Sequence, residues 1–197
     1  EIAIVGTTDH WHPVITIAAV GAGAHVYVEK PISHTILEGK AMVKAARDAS
    51  RVVQVGTHRR ISPHNVSGRE FIRSGKLGKI GLVKVFNLKD GGAFKLGPAG
   101  TPPPNFDWDR WLGPSPWRPY NKRYVEGRWR GHYDFHGGAG LPEWGAHTID
   151  LCQLAANADG TSPVEWEPKG DEIHGRYANG VKLVLRLAGF KGEGKWV

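Results

Sequence analysis

The fold of this chain is decided by its first segment, EIAIVGTTDHWHPVITIAAVGAGAHVYVEKP, residues 1–31. Two short apolar runs, EIAIVGT and AHVYVEKP, flank a stretch with helical character that has Pro13 in its first turn and glycines at its end. Each run is continuous rather than alternating, which is typical of strands buried on both faces of a parallel sheet. The segment therefore predicts a strand, a helix and a second, parallel strand.

The same alternation continues beyond residue 31. TILEGKAMVKAARDAS, residues 35–50, predicts a second helix, because Thr35 and Glu38 have the spacing of a capping box. Its apolar residues are expected to form one stripe, namely Ile36, Leu37, Met42, Val43 and Ala46. RVVQVGT, residues 51–57, predicts a third strand, and a third helix is predicted from Pro63. This order predicts half of a doubly wound Rossmann sheet.

The pattern changes near residue 80. KIGLVKVFNLKDGG, residues 79–92, predicts a strand outside the first sheet, and a region rich in Gly, Pro and Trp follows. LPEWGAHTIDLCQLAA, residues 141–156, predicts a helix, and residues 162–190 predict strands that turn at ANG. We therefore predict two domains. Residues 1–79 form the C-terminal half of a Rossmann dinucleotide-binding domain, and residues 80–197 form an α+β domain with an open, mostly antiparallel sheet for substrate binding and oligomerisation.

Composition and charge limit the classes of molecule that this chain is expected to bind. Hydrophobic residues make up 40% and charged residues 23% of the chain, which is ordinary for a globular protein. The net charge of +7 is densest in WRPYNKRYVEGRWR, residues 117–130, where aromatic and cationic residues interleave as in some nucleic-acid binders. No nucleic-acid-binding signature accompanies it, and no apolar run is long enough to span a bilayer. We expect neither nucleic acid nor membrane as a partner, and the lone Cys152 excludes an intrachain disulfide.

Polar side chains follow the carboxyl ends of the three predicted parallel strands. They lie in residues 7–12, 29–31 and 56–60. Ligands of doubly wound sheets bind beyond the carboxyl ends of the strands, so we expect these residues to line one crevice. Lys30 at such an end can donate a hydrogen bond to a substrate hydroxyl or to a cofactor ribose. A purely structural pair of Lys30 with a glutamate is the alternative.

Five motifs together resemble the glucose–fructose oxidoreductase / inositol dehydrogenase (Gfo/Idh/MocA) family. They are TTDHWH, HVYVEKPISHT, VVQVGTHRR, SGKLGKIGLVKVF and EWGAHTID. The resemblance implies a Rossmann domain for NAD or NADP and the oxidation of a sugar or polyol hydroxyl, or the reduction of the matching ketone. It places Lys30 against the nicotinamide ribose and the substrate, and Thr8 stands where the family usually has proline. The predicted cofactor-binding residues are Thr7, Thr8, His10, Trp11, His12, Glu29, Lys30, Pro31, His58 and Arg59.

The acid–base group is predicted on the helix that contains Glu143 and His147. The two residues are four positions apart and therefore share a helix face. By resemblance, His147 accepts the hydroxyl proton while hydride passes to C4 of the nicotinamide, Glu143 orients His147, and Lys30 polarises the hydroxyl. We expect Lys30 and His147 to face a single cleft. A capping or surface pair near the helix N-terminus is the alternative interpretation of Glu143 and His147.

Substrate-binding residues are predicted mainly in and near GHYDFHGG, residues 131–138. They are Trp129, His132, Tyr133, His136 and Asp150. His132, His136, Glu143 and His147 offer the ligand types of an alternative metal site. Their spacing is not a known metal signature, so no metal is predicted.

The glycine-rich part of a dinucleotide site is missing from the sequence. No G-x-G-x-x-G occurs, although backbone N–H groups of such a turn are needed next to a pyrophosphate. We expect the first strands of the Rossmann half to precede Glu1 and the second sheet to continue past GKWV, residues 194–197. Should the chain be this short, the alternatives are a carbohydrate-active lyase or glycosidase-like hydrolase, with or without a metal, and a sugar-binding protein. The resemblance also implies a homo-oligomer, and the cellular location is left open.

Overall fold

A computed structural model describes residues 1–86, 95–137 and 140–186, with the backbone alone for residues 140–142. The chain forms two compact units. The first unit contains Glu1–Gly56 and Asp90–Glu143, and the second contains Thr57–Lys89 and Trp144–Val197. Residues 87–92 of the strand predicted at residues 79–92, and residues 194–197, past which the second sheet is expected to continue, lie outside the described residues. The domain boundary between residues 79 and 80 stays a prediction.

The first unit contains a three-stranded parallel sheet in the order β1-β2-β3. Its elements are β1 (Ile2–Val5), α1 (His12–Gly21), β2 (His25–Val28), α2 (Ile36–Asp48) and β3 (Val53–Val55). A 3-10 turn, Asp9–Trp11, precedes α1. At the N-terminus of α2, the capping box is formed in both directions between Thr35 and Glu38. The partial Rossmann sheet expected from the strand–helix alternation is therefore confirmed.

The core of this sheet differs in detail from the predicted stripe. Met42 is buried, and Ala45 and Ala49 pack around the same core. Ile36 and Leu37 are 80% and 77% exposed, so their predicted place in the stripe is wrong. Positions three and four apart from Met42 share its helix face, and Ile36 and Leu37 lie off that face.

β1 is also less buried than its apolar run predicts. Ile2 and Ile4 are 75% and 80% exposed, whereas Val5 is buried. Burial on both faces was therefore the wrong expectation for β1. A continuous apolar run identifies a strand but does not report how many of its faces are covered.

The Gly-, Pro- and Trp-rich region of the first unit builds an aromatic core. It contains α4 (Trp108–Leu112), α5 (Lys122–Val125) and a 3-10 turn, Arg128–Gly131. Phe135 is fully buried at its centre, with ring centroids 5.0 Å from Trp111 and 5.1 Å from Tyr124. Gly113 has φ +51° and lies so close to Trp11 that a Cβ would come within 2.3 Å of the indole ring. The glycine there permits both the backbone conformation and the close approach.

The second unit contains a mixed, mostly antiparallel sheet in the order β4-β7-β6-β5. Its strands are β4 (Leu82–Val85), β5 (Glu165–Lys169), β6 (Glu172–Arg176) and β7 (Lys182–Arg186), and α3 spans Pro63–Arg73. Only the β4–β7 pairing is parallel among these described strands. The helix α6 (Gly140–Ala155) begins in the first unit and continues in the second. No helix among the described residues has the length and apolarity needed to cross a membrane.

Candidate active site

His12 joins the ends of β1 and β2 at the carboxyl edge of the sheet. Its Nδ1 lies 2.7 Å from the carbonyl oxygen of Pro31, and its Nε2 lies 3.1 Å from that of Thr7. The ring is 1% exposed, and the Lys30–Pro31 peptide bond is cis. A neutral imidazole has one N–H, so it can donate to only one of these carbonyls at a time. The loops after the first two strands are therefore side by side, as the sheet prediction requires.

The end of β3 lies against the same edge. The backbone N–H of Gly56 donates to the carbonyl oxygen of Val28 over 2.8 Å. A Cβ at Gly56 would lie 2.9 Å from the Tyr27 hydroxyl and 3.0 Å from the Glu29 carboxylate. This close approach explains a glycine at the point where the third strand leaves the sheet.

Lys30 pairs with Glu143 within the first unit. Its Nζ donates to Glu143 Oε1 over 2.9 Å and to the Glu143 carbonyl oxygen over 3.2 Å. The side chains of Lys30 and Glu143 are 13% and 21% exposed, so the pair is largely withdrawn from water. Arg130 adds a second cation, because its Nε donates to Glu143 Oε2 over 3.2 Å. The structural Lys–Glu pair considered as an alternative is thus present, with Glu143 rather than Glu29.

The Glu143 carboxylate is held in its ionised form by these cations. Burial raises the pKa of Glu143, but the hydrogen bond and charge of Lys30 and the charges of Arg130 and His136 outweigh it. The pKa therefore lies below its ordinary value. An anion fixed beside Lys30 holds the ammonium in a defined position at the strand end.

A buried acid–imidazole pair lies on the other side of Glu143. Nδ1 of His136 contacts Asp9 Oδ2 at hydrogen-bond range, and His136 Nε2 lies 3.9 Å from Glu143 Oε2. His136 is 0% and Asp9 is 4% exposed. The structure thus places His136 next to Glu143, while Asp9 was not among the predicted site residues.

Other predicted residues of the first unit lie in packing positions. His10 is 1% exposed, its Nε2 lies 3.1 Å from the Trp111 carbonyl oxygen, and burial lowers its pKa. Trp11 donates its indole N–H to the same carbonyl over 3.1 Å. Both residues therefore dock the loop after β1 on α4, and their cofactor-binding role stays a prediction.

The residues predicted to bind substrate differ widely in exposure. Trp129 is 6% exposed, with the Arg130 guanidinium 4.2 Å from its ring centroid, whereas Tyr133 is 72% exposed. His132 packs edge-on against Tyr124 with centroids 4.8 Å apart. Burial and the charge of Arg118 lower the pKa of His132. Of these groups, Tyr133 offers an accessible ring face.

In the second unit, His147 is buried on α6. Its ring lies 4.8 Å from that of His58 and 6.3 Å from that of Trp144, measured between centroids. The Arg59 guanidinium lies 5.7 Å from the Trp144 ring centroid. The roles of His147 as proton acceptor and of Glu143 as its orienter involve both units and stay predictions.

Asp150, predicted to bind substrate, forms an ion pair with Arg60 in the second unit. Nε and an Nη of Arg60 each donate to one Asp150 oxygen over 2.7 Å, and the same Nη donates to Asp159 over 2.8 Å. The hydrogen bond that Arg60 donates to Asp150 raises the pKa of Arg60. This fork ties the 3-10 turn at His58–Ile61 to α6, which suits a structural role for Asp150.

Three residues of these networks were missed from the sequence: Asp9, Arg130 and, as the partner of Asp150, Arg60. Asp9 is in the TTDHWH motif and Arg60 is in HRR, but neither motif indicates which residue the side chain contacts in the folded chain. Among the described residues, no group of three or more His, Cys, Asp or Glu side chains is placed to hold a metal ion. The alternative metal set therefore gains no support.

Two family models match the chain. The model described as "Oxidoreductase family, NAD-binding Rossmann fold" covers residues 1–57, and "Oxidoreductase family, C-terminal alpha/beta domain" covers residues 80–189, more than half of the sequence. The chain belongs to the Gfo/Idh/MocA oxidoreductase family. The family resemblance of the five motifs is thereby confirmed.

Relatives in this family are similar to the chain over part of their length. 1,5-Anhydro-D-fructose reductase of Ensifer adhaerens is 36% identical over 87 residues, which are 44% of this chain and 26% of the relative. The oxidoreductase domain protein of Kribbella flavida superposes with a TM-score of 0.65 and 25% identity over 98% of this chain and 49% of that one. Levoglucosan dehydrogenase in complex with NADH and levoglucosan superposes with a TM-score of 0.64 and 22% identity over 96% and 48%. The chain therefore spans about half the length of these solved relatives.

Proposed function

We propose that this chain takes part in hydride transfer between a nicotinamide cofactor and a carbinol carbon of a sugar or polyol. The observation that carries the proposal is the position of Lys30, at the carboxyl end of a parallel Rossmann strand and fixed by Glu143 at 2.9 Å. Cofactors and substrates of doubly wound sheets bind at this edge. Family membership supports the same reaction class.

The donor set at the sheet edge fits the nicotinamide half of such a cofactor. Among the described residues, the Lys30 Nζ donates two hydrogen bonds, both to Glu143, and an ammonium has three N–H groups. Thr7, an exposed residue after β1, adds a hydroxyl that donates to the Thr8 carbonyl oxygen over 3.3 Å and can accept a further hydrogen bond. Ribose hydroxyls and the carboxamide accept and donate such bonds. The relative crystallised with NADH supports NAD as the cofactor of this chain. The experiment below uses both NAD and NADP.

In the proposed mechanism, Lys30 acts on the reacting hydroxyl. Its ammonium donates a hydrogen bond to the hydroxyl oxygen and stabilises the negative charge that develops there as the O–H proton leaves. Glu143 holds Lys30 in place, and Arg130 holds Glu143. His147 is proposed as the base that takes the proton. When bound, the nicotinamide supplies the acceptor for the hydride of the adjacent C–H.

The proposed substrate is a small carbohydrate or cyclitol. Two of the relatives above are named for anhydro sugars, 1,5-anhydro-D-fructose and levoglucosan. Tyr133 offers an exposed ring of the kind that stacks on sugars. No relative described above is named as a lyase or hydrolase, so that alternative gains no support. From family membership we also propose that residues 1–79 bind the cofactor and residues 80–197 bind the substrate. Family membership likewise supports a homo-oligomer.

The test is isotope transfer by the purified chain. Levoglucosan and myo-inositol with deuterium on their carbinol carbons are incubated with NAD or NADP, and the reduced cofactor is analysed by mass spectrometry. We expect deuterium in the reduced cofactor with at least one substrate. Folded protein that transfers no label from either compound, and does not enhance NADH or NADPH fluorescence, would contradict the proposal.

A further inference from the structure

Asp9, His136, Glu143 and Lys30 form a continuous row of titratable groups in the first unit. Asp9 contacts Nδ1 of His136, Nε2 of the same ring lies 3.9 Å from Glu143 Oε2, and Glu143 Oε1 accepts from Lys30 over 2.9 Å. The imidazole therefore has a carboxylate next to each of its two nitrogens. Acidic and basic groups alternate along the whole row.

Because the His136 imidazole is buried, its protonation state strongly affects the energy of the neighbouring carboxylates. His136 is 0% exposed, Asp9 is 4% exposed, and the edge of Trp129 lies against the ring with centroids 6.0 Å apart. Away from water, a carboxylate is strongly stabilised by a cationic neighbour, whereas a neutral imidazole would turn one lone pair toward an anion. A doubly protonated ring satisfies both neighbours. The 3.9 Å separation exceeds hydrogen-bond length, so the interaction of Nε2 with Glu143 is one of charge.

The charged groups that face Glu143 come from three segments. They are Lys30 after β2, Arg130 in the 3-10 turn, and His136 after it. Arg130 is about half exposed, whereas His136 is fully buried and therefore least screened by solvent. A histidine that only packs would need hydrogen-bond partners for its two nitrogens but no second carboxylate. The second carboxylate at Nε2 is what distinguishes this arrangement.

We propose that His136, held by Asp9, is a positioning residue: its imidazolium faces Glu143 and keeps that carboxylate ionised where it binds Lys30. The inference deepens the proposed function and rests on it for the role of Lys30. Asp9 acts one step further away, by fixing the ring through Nδ1 and favouring its charged form. Neither residue is assigned a contact with substrate.

The test is NMR of the full chain without substrate or cofactor. Protein with ¹³C-labelled glutamate gives the titration midpoint of Glu143, whose signal is assigned by its loss in Glu143→Gln. We expect His136→Gln to raise this midpoint by about 1 pH unit, because an opposite charge within about 4 Å is removed. Asp9→Asn is expected to raise it by a smaller amount. The matched control is His174→Gln, which removes an imidazole paired with Glu172 on β6 of the second unit and leaves the midpoint unchanged.

A second measurement on the wild-type chain keeps the test decisive if His136→Gln does not fold. The ¹⁵N shifts of His136 report whether both ring nitrogens carry protons at neutral pH, and we expect that they do. An unprotonated ring nitrogen, or a Glu143 midpoint equal to wild type in the folded variants, would overturn the inference. Neither readout needs turnover, so a failure of the isotope-transfer test would reject the proposed function separately.

Discussion

Replacing Lys30 with alanine is expected to lower turnover by about a hundredfold to ten-thousandfold. This is the range for loss of a positioned group that stabilises charge on the reacting oxygen. Alanine also leaves the partly buried Glu143 carboxylate without its closest cation. The loss should appear in kcat as well as in kcat/KM, since the ammonium acts most strongly in the transition state.

The matched control for Lys30 is Lys44→Ala on α2. Lys44 also forms an ion pair, with Asp48 one turn along the same helix, but its side chain is 76% exposed. We expect turnover to stay within about twofold of wild type, because exposed helix pairs contribute little. Equal turnover of the Lys30→Ala and Lys44→Ala variants, both folded by circular dichroism, would contradict the assignment of Lys30.

Phe135→Ala is expected to reduce the free energy of unfolding by about 3–5 kcal/mol, the cost of deleting a fully buried phenylalanine. The ring is 0% exposed among Trp111, Tyr124 and His10, and the Arg118 guanidinium lies 4.7 Å from its centroid. The free energy of unfolding of a typical domain is about 5–15 kcal/mol in total, so a large fraction of the stability should be lost. The measurement is the urea midpoint followed by tryptophan fluorescence.

Trp117→Ala is the control for this second prediction. Trp117 belongs to the same aromatic-rich region but is 72% exposed, so its removal should change stability by no more than about 0.5 kcal/mol. A loss below about 1 kcal/mol for Phe135→Ala would mean that the aromatic cluster does not act as a core. Phe135 directly precedes His136, so the cluster also fixes the segment that faces Glu143.

The architecture could be predicted because it follows from local chemistry. Continuous β-branched runs ending in Gly, Thr or Pro gave the parallel strands, and the Thr35–Glu38 spacing gave the start of α2. Which faces are covered could not be predicted, as Ile4 and Leu37 demonstrate, because coverage depends on what packs against an element. The aromatic core around Phe135 was likewise not predicted, although it lies in the region noted for its Gly, Pro and Trp content.

The sequence predicted several residues of the candidate site but not which of them contact one another. The family motifs identified Lys30 and Glu143, and sheet topology predicted where their chemistry should lie. The sequence assigned Glu143 to His147 through helix spacing, whereas the closest cation found for it is Lys30, 113 residues earlier in the chain. Pairings at such separations are set by tertiary packing, which spacing along one helix does not report. Asp9 and Arg130 were missed for the same reason.

A double-mutant cycle on Lys30 and Glu143 tests the central claim most directly. Turnover is measured for Lys30→Ala, Glu143→Gln and the double variant with the same deuterated polyol. If Glu143 acts by holding Lys30, the double variant should lose no more activity than Lys30→Ala alone, because residues that act as a unit are non-additive. Losses that multiply in the double variant would show that the two side chains act independently and would contradict the proposed pair.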